Sequence, residues 1–288
     1  MTPSAKTDAA PAPGRLSFAD LNGWDADDLD AAMAAMRLGD ATIPQGDARS
    51  WFETTFRPGA DLTGHFTGYY EPELDASRTR TDQFPCPIHA LPPDGVSTPR
   101  ARVEGDLIGH EIAWLRDPVD RFFLQVQGSG RLRLTDGSMM RVGYAGRNGQ
   151  PYVSIGKLLT DRGIFGSDIT ADALKAWLRV DVARGIAVMN ENPSYVMFCE
   201  TDASGGPMGT LCPVTALRSL AVDPAHTPLG TPVWVEVAGH ARLCIAQDTG
   251  SAIRGSGRAD LFFGSGEAAG ALAGALNQTG RFVPLVRR

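Results

Sequence analysis

The sequence predicts a mainly β protein with a few helices at its periphery. From Phe66 onward, short apolar segments alternate with Gly, Pro, Asp and Asn, which is typical of strands joined by turns. Only a few stretches have the apolar spacing of a helix. The chain has 288 residues, 43% of them hydrophobic, so it can bury the core of one large domain or two modest ones, and it contains no internal repeat.

The N-terminal region is predicted to contain a tail and one helix. Residues 1–20 are rich in Ala, Pro and Thr and are expected to be disordered. The segment WDADDLDAAMAAMRLGD has apolar side chains at helical spacing, which predicts an amphipathic helix. Asp25 is the expected N-cap of this helix and Gly39 its expected end.

The central region combines predicted strands with one long helix. FFLQVQGSG, RLRLTDGSMMRVGYAG and YVMFCE each indicate strands, and TDGS between two alternating runs predicts a hairpin. The segment TADALKAWLRVDVARGIAVMN predicts a helix, since Leu174, Trp177 and Leu178 share one face. Thr170 is its expected N-cap, and Pro193 lies just beyond its end.

The C-terminal region is again strand-rich. The segments TPVWVEV, ARLCIAQD, DLFFG and RFVPLV are predicted strands. Between the last two lies GEAAGALAGALNQTG, which predicts a short helix closed by Gly280.

Composition excludes several classes of protein. The formal charge of −6 and the absence of a basic stripe argue against nucleic-acid binding. No run of eighteen apolar residues exists, so no membrane-spanning helix is expected. No CxxC or CxxH spacing occurs, so a zinc site is not expected. Four cysteines are expected to be buried free thiols, with a disulfide among the last three as the alternative: Cys86, Cys199, Cys212 and Cys244.

The tripeptide Asp248-Thr249-Gly250 is the active-site turn of aspartic proteases. Those enzymes need two carboxylates that share a proton, and a single chain then carries two such turns. Only one copy is present, so a protease would have to be a homodimer. Gln247 is also polar, where an apolar residue is expected before a buried turn. A protease is therefore disfavoured.

A second interpretation places two acids at neighbouring strand ends. LCIA is expected to deliver Asp248 at its end, and Asp260 opens the strand that follows the Gly-rich loop 249–258. Because Asp260 lies between apolar residues, desolvation beside a second carboxylate is expected to raise its pKa, as a general acid requires. The alternative is that Asp223 and Asp248 only cap loops by accepting backbone N–H groups. A calcium site built from the three acids is disfavoured by their wide spacing.

These residues resemble a known family. QDTGSAIRGSGRADLFFG and AVDPAHTPLGTPVW are similar to the three-aspartate (3D) domain of the lytic murein transglycosylase A (MltA) family, whose members cut bacterial peptidoglycan. Four further segments resemble the same family in the same order: FTGYYEPEL, FFLQVQGSGRL, GYAGRNGQPYVSIGKLL and MNENPSYVMF. The resemblance runs from about residue 60 to the C-terminus.

The resemblance implies a fold and a reaction. The implied fold is a double-psi β-barrel formed by residues 21–75 and 201–288, with a β-rich domain inserted over residues 76–200 and a large groove between the two. The implied reaction is non-hydrolytic cleavage of the β-1,4 bond between N-acetylmuramic acid and N-acetylglucosamine, which leaves a 1,6-anhydro ring. Neither a metal nor a cofactor is implied.

The resemblance also implies roles for particular residues. Asp260 corresponds to the acid that protonates the glycosidic oxygen and then acts as a base, Asp248 supports it, and Asp223 is a structural acid. Planar rings, amides and hydroxyls suit N-acetylated sugars, and small residues permit close approach of a saccharide. The expected substrate contacts are Tyr69, Tyr70, Gln125, Gln127, Ser129, Tyr144, Asn148, Asn192, Ser194, Gly250 and Ser251.

Family members are exported, often as lipoproteins of the outer membrane. The start of this chain has no apolar segment of the secretory type and no lipidated cysteine, so either a leader has been removed or the start was chosen differently. The resemblance implies a periplasmic or outer-membrane-associated protein, which is expected to be a monomer. Peptidoglycan strands are the expected partner, and nucleic acid is not. The alternative from another class is a non-catalytic wall-binding barrel of the expansin type, against which the acid at Asp260 argues.

Overall fold

The computed structural model describes residues 16–166, 169–202 and 206–288. Its strands are β1 (Phe56–Pro58), β2 (Leu62–Glu71), β3 (Glu73–Ser77), β4 (Cys86–His89), β5 (Glu111–Leu115), β6 (Gly130–Leu134), β7 (Met139–Arg147), β8 (Val196–Thr201), β9 (Ser219–Val222), β10 (Pro232–Val237), β11 (His240–Thr249), β12 (Arg258–Ser265) and β13 (Asn277–Arg287). Its helices are α1 (Leu29–Gly39), α2 (Ala48–Thr55), α3 (Arg100–Val103), α4 (Pro118–Gln127), α5 (Ile155–Asp161), α6 (Ala171–Val180), α7 (Val182–Met189) and α8 (Gly266–Ala275). The predicted mainly β fold with a few helices is confirmed.

One sheet closes into a six-stranded barrel. Its order is β13-β10-β11-β9-β12-β2, and β2 pairs again with β13; β1 extends the C-terminal end of β13. Two pairs are parallel, β9 with β11 and β2 with β12, while the others are antiparallel. This is the double-psi β-barrel that the resemblance implied.

The barrel is packed on both faces of its wall. Inside it lies a core of buried apolar side chains that includes Phe66, Val235 and Phe282. Outside β10, β11 and β13, helices α1 and α2 pack Met33 and Phe52 against the fully buried Trp234. Each such side chain contributes roughly 1.5–3 kcal/mol of burial free energy, so the helices are part of the barrel's own core.

The second sheet has the order β4-β5-β3-β6-β7-β8. It has its own core, and α4 to α7 form a further apolar cluster beside it. The buried Glu71 at the end of β2 links the two sheets, because it accepts hydrogen bonds from Arg141 of β7 (Nε to Oε1, 2.8 Å) and from Ser265 of β12 (Oγ to Oε2, 2.6 Å). The domain limits 21–75 with 201–288 and 76–200 remain a proposal, and the limit at residue 75 falls inside β3, which pairs only within the second sheet.

One predicted strand is wrong. FFLQVQ belongs to α4, although its aromatic and β-branched residues favour a strand. Asp117 caps the helix by accepting from the backbone N–H of Asp120 at 2.8 Å, Pro118 occupies the first turn, and Gly128 ends it in the left-handed conformation. The signals at the two ends therefore override strand propensity within the segment.

The predicted helix ends also differ from the structure. Asp28, and not Asp25, caps α1, which ends at Gly39 as expected. The predicted helix after Thr170 is two helices, because Asp181 leaves the helical conformation and caps α7. Helix α8 ends at Ala275, well before Gly280, which lies in β13.

Other expectations can be compared directly with the structure. The TDGS hairpin joins β6 to β7 as predicted, and Thr170 caps α6. Phe18–Asp20 form a 3-10 turn, contrary to the disorder predicted for residues 1–20, of which residues 1–15 lie outside the described residues. All four cysteines are free, and Cys212 and Cys244 are buried as expected, but Cys86 is only half-buried and Cys199 is exposed. Among the described residues, no helix has the length and apolar character needed to cross a bilayer.

Candidate active site

The site is a row of side chains across four strands of the barrel. Ala221 of β9 is the register partner of Asp248 on β11 and of Asp260 on β12, and Asp260 is in turn the partner of Thr67 on β2. The sequence predicted that Asp248 and Asp260 lie on adjacent strands. In the structure they do not, because β9 lies between β11 and β12. The small side chain of Ala221 leaves space between the two acids, which the strand spacing places about 10 Å apart at the backbone.

A β-bulge aims Asp248 into this row. The register of β11 against β9 shifts between Ala246 and Asp248, so Gln247 is the extra residue. Gln247 is fully buried, donates to the carbonyl of Ala35 (2.6 Å) and accepts from the hydroxyl of Ser219 (2.6 Å). Without the bulge, strict alternation would place Asp248 on the same face of β11 as Ala246, toward the barrel core and away from the row. The polar residue that disfavoured a protease thus anchors the bulge.

Asp260 is the acid with the displaced pKa. Its burial among the strands, together with the negative charge of Asp248, raises its pKa to about 6. Two groups oppose this shift: the hydroxyl of Thr67, which donates to Asp260 Oδ1 at 2.7 Å, and the charge of Arg258. Arg258 also donates to Thr67 Oγ1 at 2.8 Å. Asp260 is consequently about half protonated at pH 6 and about one tenth protonated at pH 7, far more than an ordinary carboxyl group.

Asp248 accepts four hydrogen bonds. Its Oδ1 accepts from the backbone N–H and the hydroxyl of Thr210 (both 2.9 Å) and from the backbone N–H of Thr249 (2.8 Å). Its Oδ2 accepts from the hydroxyl of Tyr69 at 3.1 Å. Burial raises the pKa of Asp248 above its usual value, and these donors oppose that rise because they favour the charged carboxylate. The two acids of the row thus have very different hydrogen-bond environments.

Asp223 lies outside the row, in the turn after β9. Its carboxylate accepts from the backbone N–H groups of Gly255 (2.8 Å) and Ala225 (3.2 Å), which hold its pKa below the usual value. Asp223 therefore ties its own turn to the loop between β11 and β12.

Three of the expected substrate contacts lie where the barrel meets the inserted domain. Tyr69 reaches Asp248, and its ring packs on Phe262 with 5.1 Å between centroids. The backbone N–H of Tyr70 donates to Oε1 of Gln127 at 3.1 Å, and the Tyr70 hydroxyl accepts from Lys175 at 3.3 Å. Tyr69 and Tyr70 point to opposite faces of β2, so only Tyr69 shares a face with the acids.

Four other expected contacts form a buried network in the inserted domain instead. Arg100 donates to Gln125 Oε1 (2.6 Å) and to the carbonyls of Ser194 (2.6 Å) and Asn192 (3.1 Å). Asn148 donates to two carbonyls and accepts from the backbone N–H of Tyr195 at 2.8 Å. None of these hydrogen bonds involves the two acids. We call this set the Arg100 network: Arg100, Gln125, Asn148, Asn192 and Ser194.

The remaining expected contacts lie at loops and on a strand surface. Ser129 is half-buried between α4 and β6, and Tyr144 is 54% exposed on β7. Gly250 and Ser251 follow β11 directly, and a Cβ at Gly250 would lie 2.9 Å from Ile253 Cγ1. A side chain at position 250 would therefore force this turn to move.

Sequence reasoning missed Thr67, Thr210, Gln247 and Arg258. Gln247 had a usable signal, since it is a polar residue in an apolar strand. Thr210 had none, because it lies 38 residues from Asp248 in an irregular segment. In the described part of the chain, no three His, Cys, Asp or Glu side chains are grouped closely enough to hold a metal ion.

The fold and the row of side chains define a class of protein, a two-domain chain whose aspartate-bearing barrel is joined to a second β domain. A family model described as "MltA specific insert domain" matches residues 65–108 and 96–199, and one described as "3D domain" matches residues 218–286. Both parts of the molecule are thus matched.

Individual proteins agree with the family models. Membrane-bound lytic murein transglycosylase A of Escherichia coli (strain K12) is 34% identical over 242 residues, which cover 77% of this chain and 66% of that protein, slightly less than two thirds. The membrane-bound lytic murein transglycosylase structure from Agrobacterium tumefaciens has 32% identity and a TM-score of 0.87, covering 95% of this chain and 97% of that one. E. coli MltA with bound chitohexaose has 28% identity and a TM-score of 0.79, covering 96% and 93%. The chain belongs to the MltA family.

Proposed function

We propose that this protein is a peptidoglycan lytic transglycosylase that cleaves the β-1,4 bond between N-acetylmuramic acid and N-acetylglucosamine without water. The relatives are named lytic murein transglycosylases, which supports the substrate and the reaction class. The observation that carries the mechanism is Asp260, a carboxyl group whose pKa is raised to about 6 within the barrel wall. Such a group holds a proton that it can donate near neutral pH.

Asp260 is the acid and then the base. Its proton passes to the glycosidic oxygen as the bond from that oxygen to C1 of the muramic acid breaks. The C6 hydroxyl of the same sugar attacks C1, and its proton returns to the Asp260 carboxylate. A second catalytic acid of the glycosidase kind is unnecessary, because an intramolecular hydroxyl held at C1 has a very high effective concentration.

Asp248 remains ionised and stabilises the positive charge that develops on the sugar ring. Its four donors favour the carboxylate form. Its charge also helps to keep the proton on Asp260. The row therefore supplies one neutral and one charged carboxyl group, as differing environments allow in other glycan-cleaving sites.

The glycan lies in a groove between the barrel and the inserted domain. The E. coli relative has been crystallised with chitohexaose, which supports a site for an extended N-acetylated glycan. Tyr69, Gly250 and Ser251 border the row, and the exposed ring of Tyr144 offers an apolar face to a sugar. The relatives are named membrane-bound, which supports a location in the periplasm or at the outer membrane.

The products of digestion test the proposal. Purified sacculi are incubated with the protein, and the masses of the soluble fragments are measured by mass spectrometry. We expect muropeptides lighter by one water than hydrolysed ones, because the C6 hydroxyl replaces water. Reducing-end products would show a hydrolase, and binding without release would show a wall-binding module of the expansin type.

A further inference from the structure

A short hairpin closes over Asp248. Residues 207–214, the 207–214 hairpin, are held by backbone bonds from Gly209 to Cys212 (3.0 Å) and from Val214 to Pro207 (2.9 Å). Thr210 lies at its tip, and the backbone N–H of Leu211 donates to the carbonyl of Gln247 at 3.0 Å. The hairpin is thus bound to the β-bulge that aims Asp248.

We propose that Thr210 is a positioning residue that holds Asp248 in its ionised form while Asp260 carries the proton. The inference rests on the proposed function, because it assigns Thr210 a part in keeping the two acids in different protonation states. Thr210 supplies two of the four hydrogen bonds to Asp248, both to Oδ1.

The hydroxyl of Thr210 has a fixed direction. Its Oγ1 lies 2.9 Å from Asp248 Oδ1 and 2.8 Å from Thr249 Oγ1. The charged oxygen of Asp248 accepts only, so Thr210 must donate to it and accept from Thr249. The Thr210 hydroxyl therefore donates to the carboxylate while the Thr249 hydroxyl donates to Thr210, which stabilises the charged form of Asp248.

Gly209 allows the backbone of the 207–214 hairpin to approach Asp248 closely. A Cβ there would lie 2.7 Å from Val214 Cγ1, 3.1 Å from the Gln247 carbonyl and 3.2 Å from Cγ of Asp248. Only glycine lets the hairpin lie this close to the carboxyl group. The distance from Thr210 to Asp248 is consequently set by packing.

Few other groups near Asp248 titrate in the working range. Tyr69 from β2 and Cys212 from the hairpin both have a pKa raised chiefly by burial, so both stay neutral below pH 8. Asp260 from β12 is the other acid, and Arg258 beside it stays charged. Between pH 4 and 8, the pH profile thus belongs to the pair of acids, whose apparent values are shared.

The experiment measures glycan cleavage against pH for Thr210→Val and Thr210→Ser. Loss of the hydroxyl raises the pKa of Asp248, so Thr210→Val should move the acid limb of kcat/KM upward by about one pH unit and narrow the profile. We expect the loss to approach about tenfold at the acidic end of the profile and to be smaller at pH 6.5. Thr210→Ser should restore the wild-type limb.

Controls separate positioning from folding. Thr42→Val is the matched control, since Thr42 likewise donates its hydroxyl (2.6 Å) and its backbone N–H (3.0 Å) to one carboxylate oxygen, that of Asp40, outside the row. Thr210→Ala is the second hydroxyl-free variant, should the valine not fold. A uniform loss at every pH, or a wild-type profile in the folded variants, overturns the proposal. The wild-type product assay separately tests the proposed function, because the profile can be measured whichever product forms.

Discussion

The Arg100 network and the Asp248–Asp260 row are both polar clusters in β-rich surroundings, but their chemistry differs. Arg100 shares its donors among neutral acceptors, and burial lowers its pKa only to about 10, so its charge does not change near neutral pH. In the row, four hydrogen bonds go to Asp248 and one from Thr67 goes to Asp260. Two identical side chains thereby acquire different proton affinities.

The two clusters differ in how completely and how evenly their polar groups are paired, and this distinguishes a structural network from a reactive site. A network whose members are all paired is rigid and has no reason to exchange a proton. Unequal pairing of two acids creates one group that holds a proton and one that does not. A polar residue within an apolar stretch of sequence does not separate these cases, since Gln125 and Asp260 both have apolar neighbours on each side.

The largest expected effect is on activity in Asp260→Asn. The amide keeps the shape and can still accept from Thr67, but it cannot donate an acidic proton, so release of soluble muropeptides should fall by about 10³-fold. Binding to sacculi, measured by co-sedimentation, should persist. Normal turnover in this variant would mean that the acid is misassigned.

The same variant should be more stable above pH 6. The folded pKa of Asp260 is raised, so the wild type loses stability as pH rises from the unfolded value near 4 through about 6. We expect the melting temperature of the variant to exceed that of the wild type by about 2–4 °C at pH 7.5 and to match it at pH 4. An equal difference at both pH values would contradict the assigned pKa shift.

Arg100→Met should have the opposite pattern, with a large effect on stability and a small effect on activity. It leaves the acceptors of Gln125, Asn192 and Ser194 unpaired in a buried region, which costs about 3 kcal/mol of unfolding free energy. Denaturant titration measures this loss, and kcat at 25 °C should stay within about twofold. Arg102→Met, at an exposed position of the same helix, is the control.

A loss of kcat/KM in folded Arg100→Met at unchanged stability would contradict the comparison. The network would then contact the glycan, as the sequence predicted for four of its members.

The smallest expected effect belongs to Asp223→Ala. Its carboxylate ties two loops, and its depressed pKa means that its contribution is present near neutral pH and is lost on acidification. The melting temperature should fall by about 2 °C at pH 7, and the difference should disappear near pH 3. Cleavage should fall no more than a few-fold. A loss comparable to that of Asp260→Asn would give Asp223 a direct part in the reaction.

Much of the fold was predictable from local pattern. The strands β10 to β13 and the β6–β7 hairpin follow from alternating apolar residues and turn signals, which act over a few residues. Helix α4 was not recognised, because the capping interactions of Asp117 and Gly128 outweigh the strand propensity between them. Local propensity is informative only where the ends of a segment agree with its interior.

The sequence alone pointed to Asp248 and Asp260, since two acids at strand ends around a Gly-rich loop are a local pattern that resembles a known family. Tertiary structure decided how these acids differ: β9 separates them, the bulge at Gln247 aims one of them, and Thr210 hydrogen-bonds to it. It also placed four of the predicted substrate contacts in the Arg100 network, away from the acids. The physical reason is that proton affinity and pairing depend on neighbours brought together by folding across 38 to 193 residues of chain.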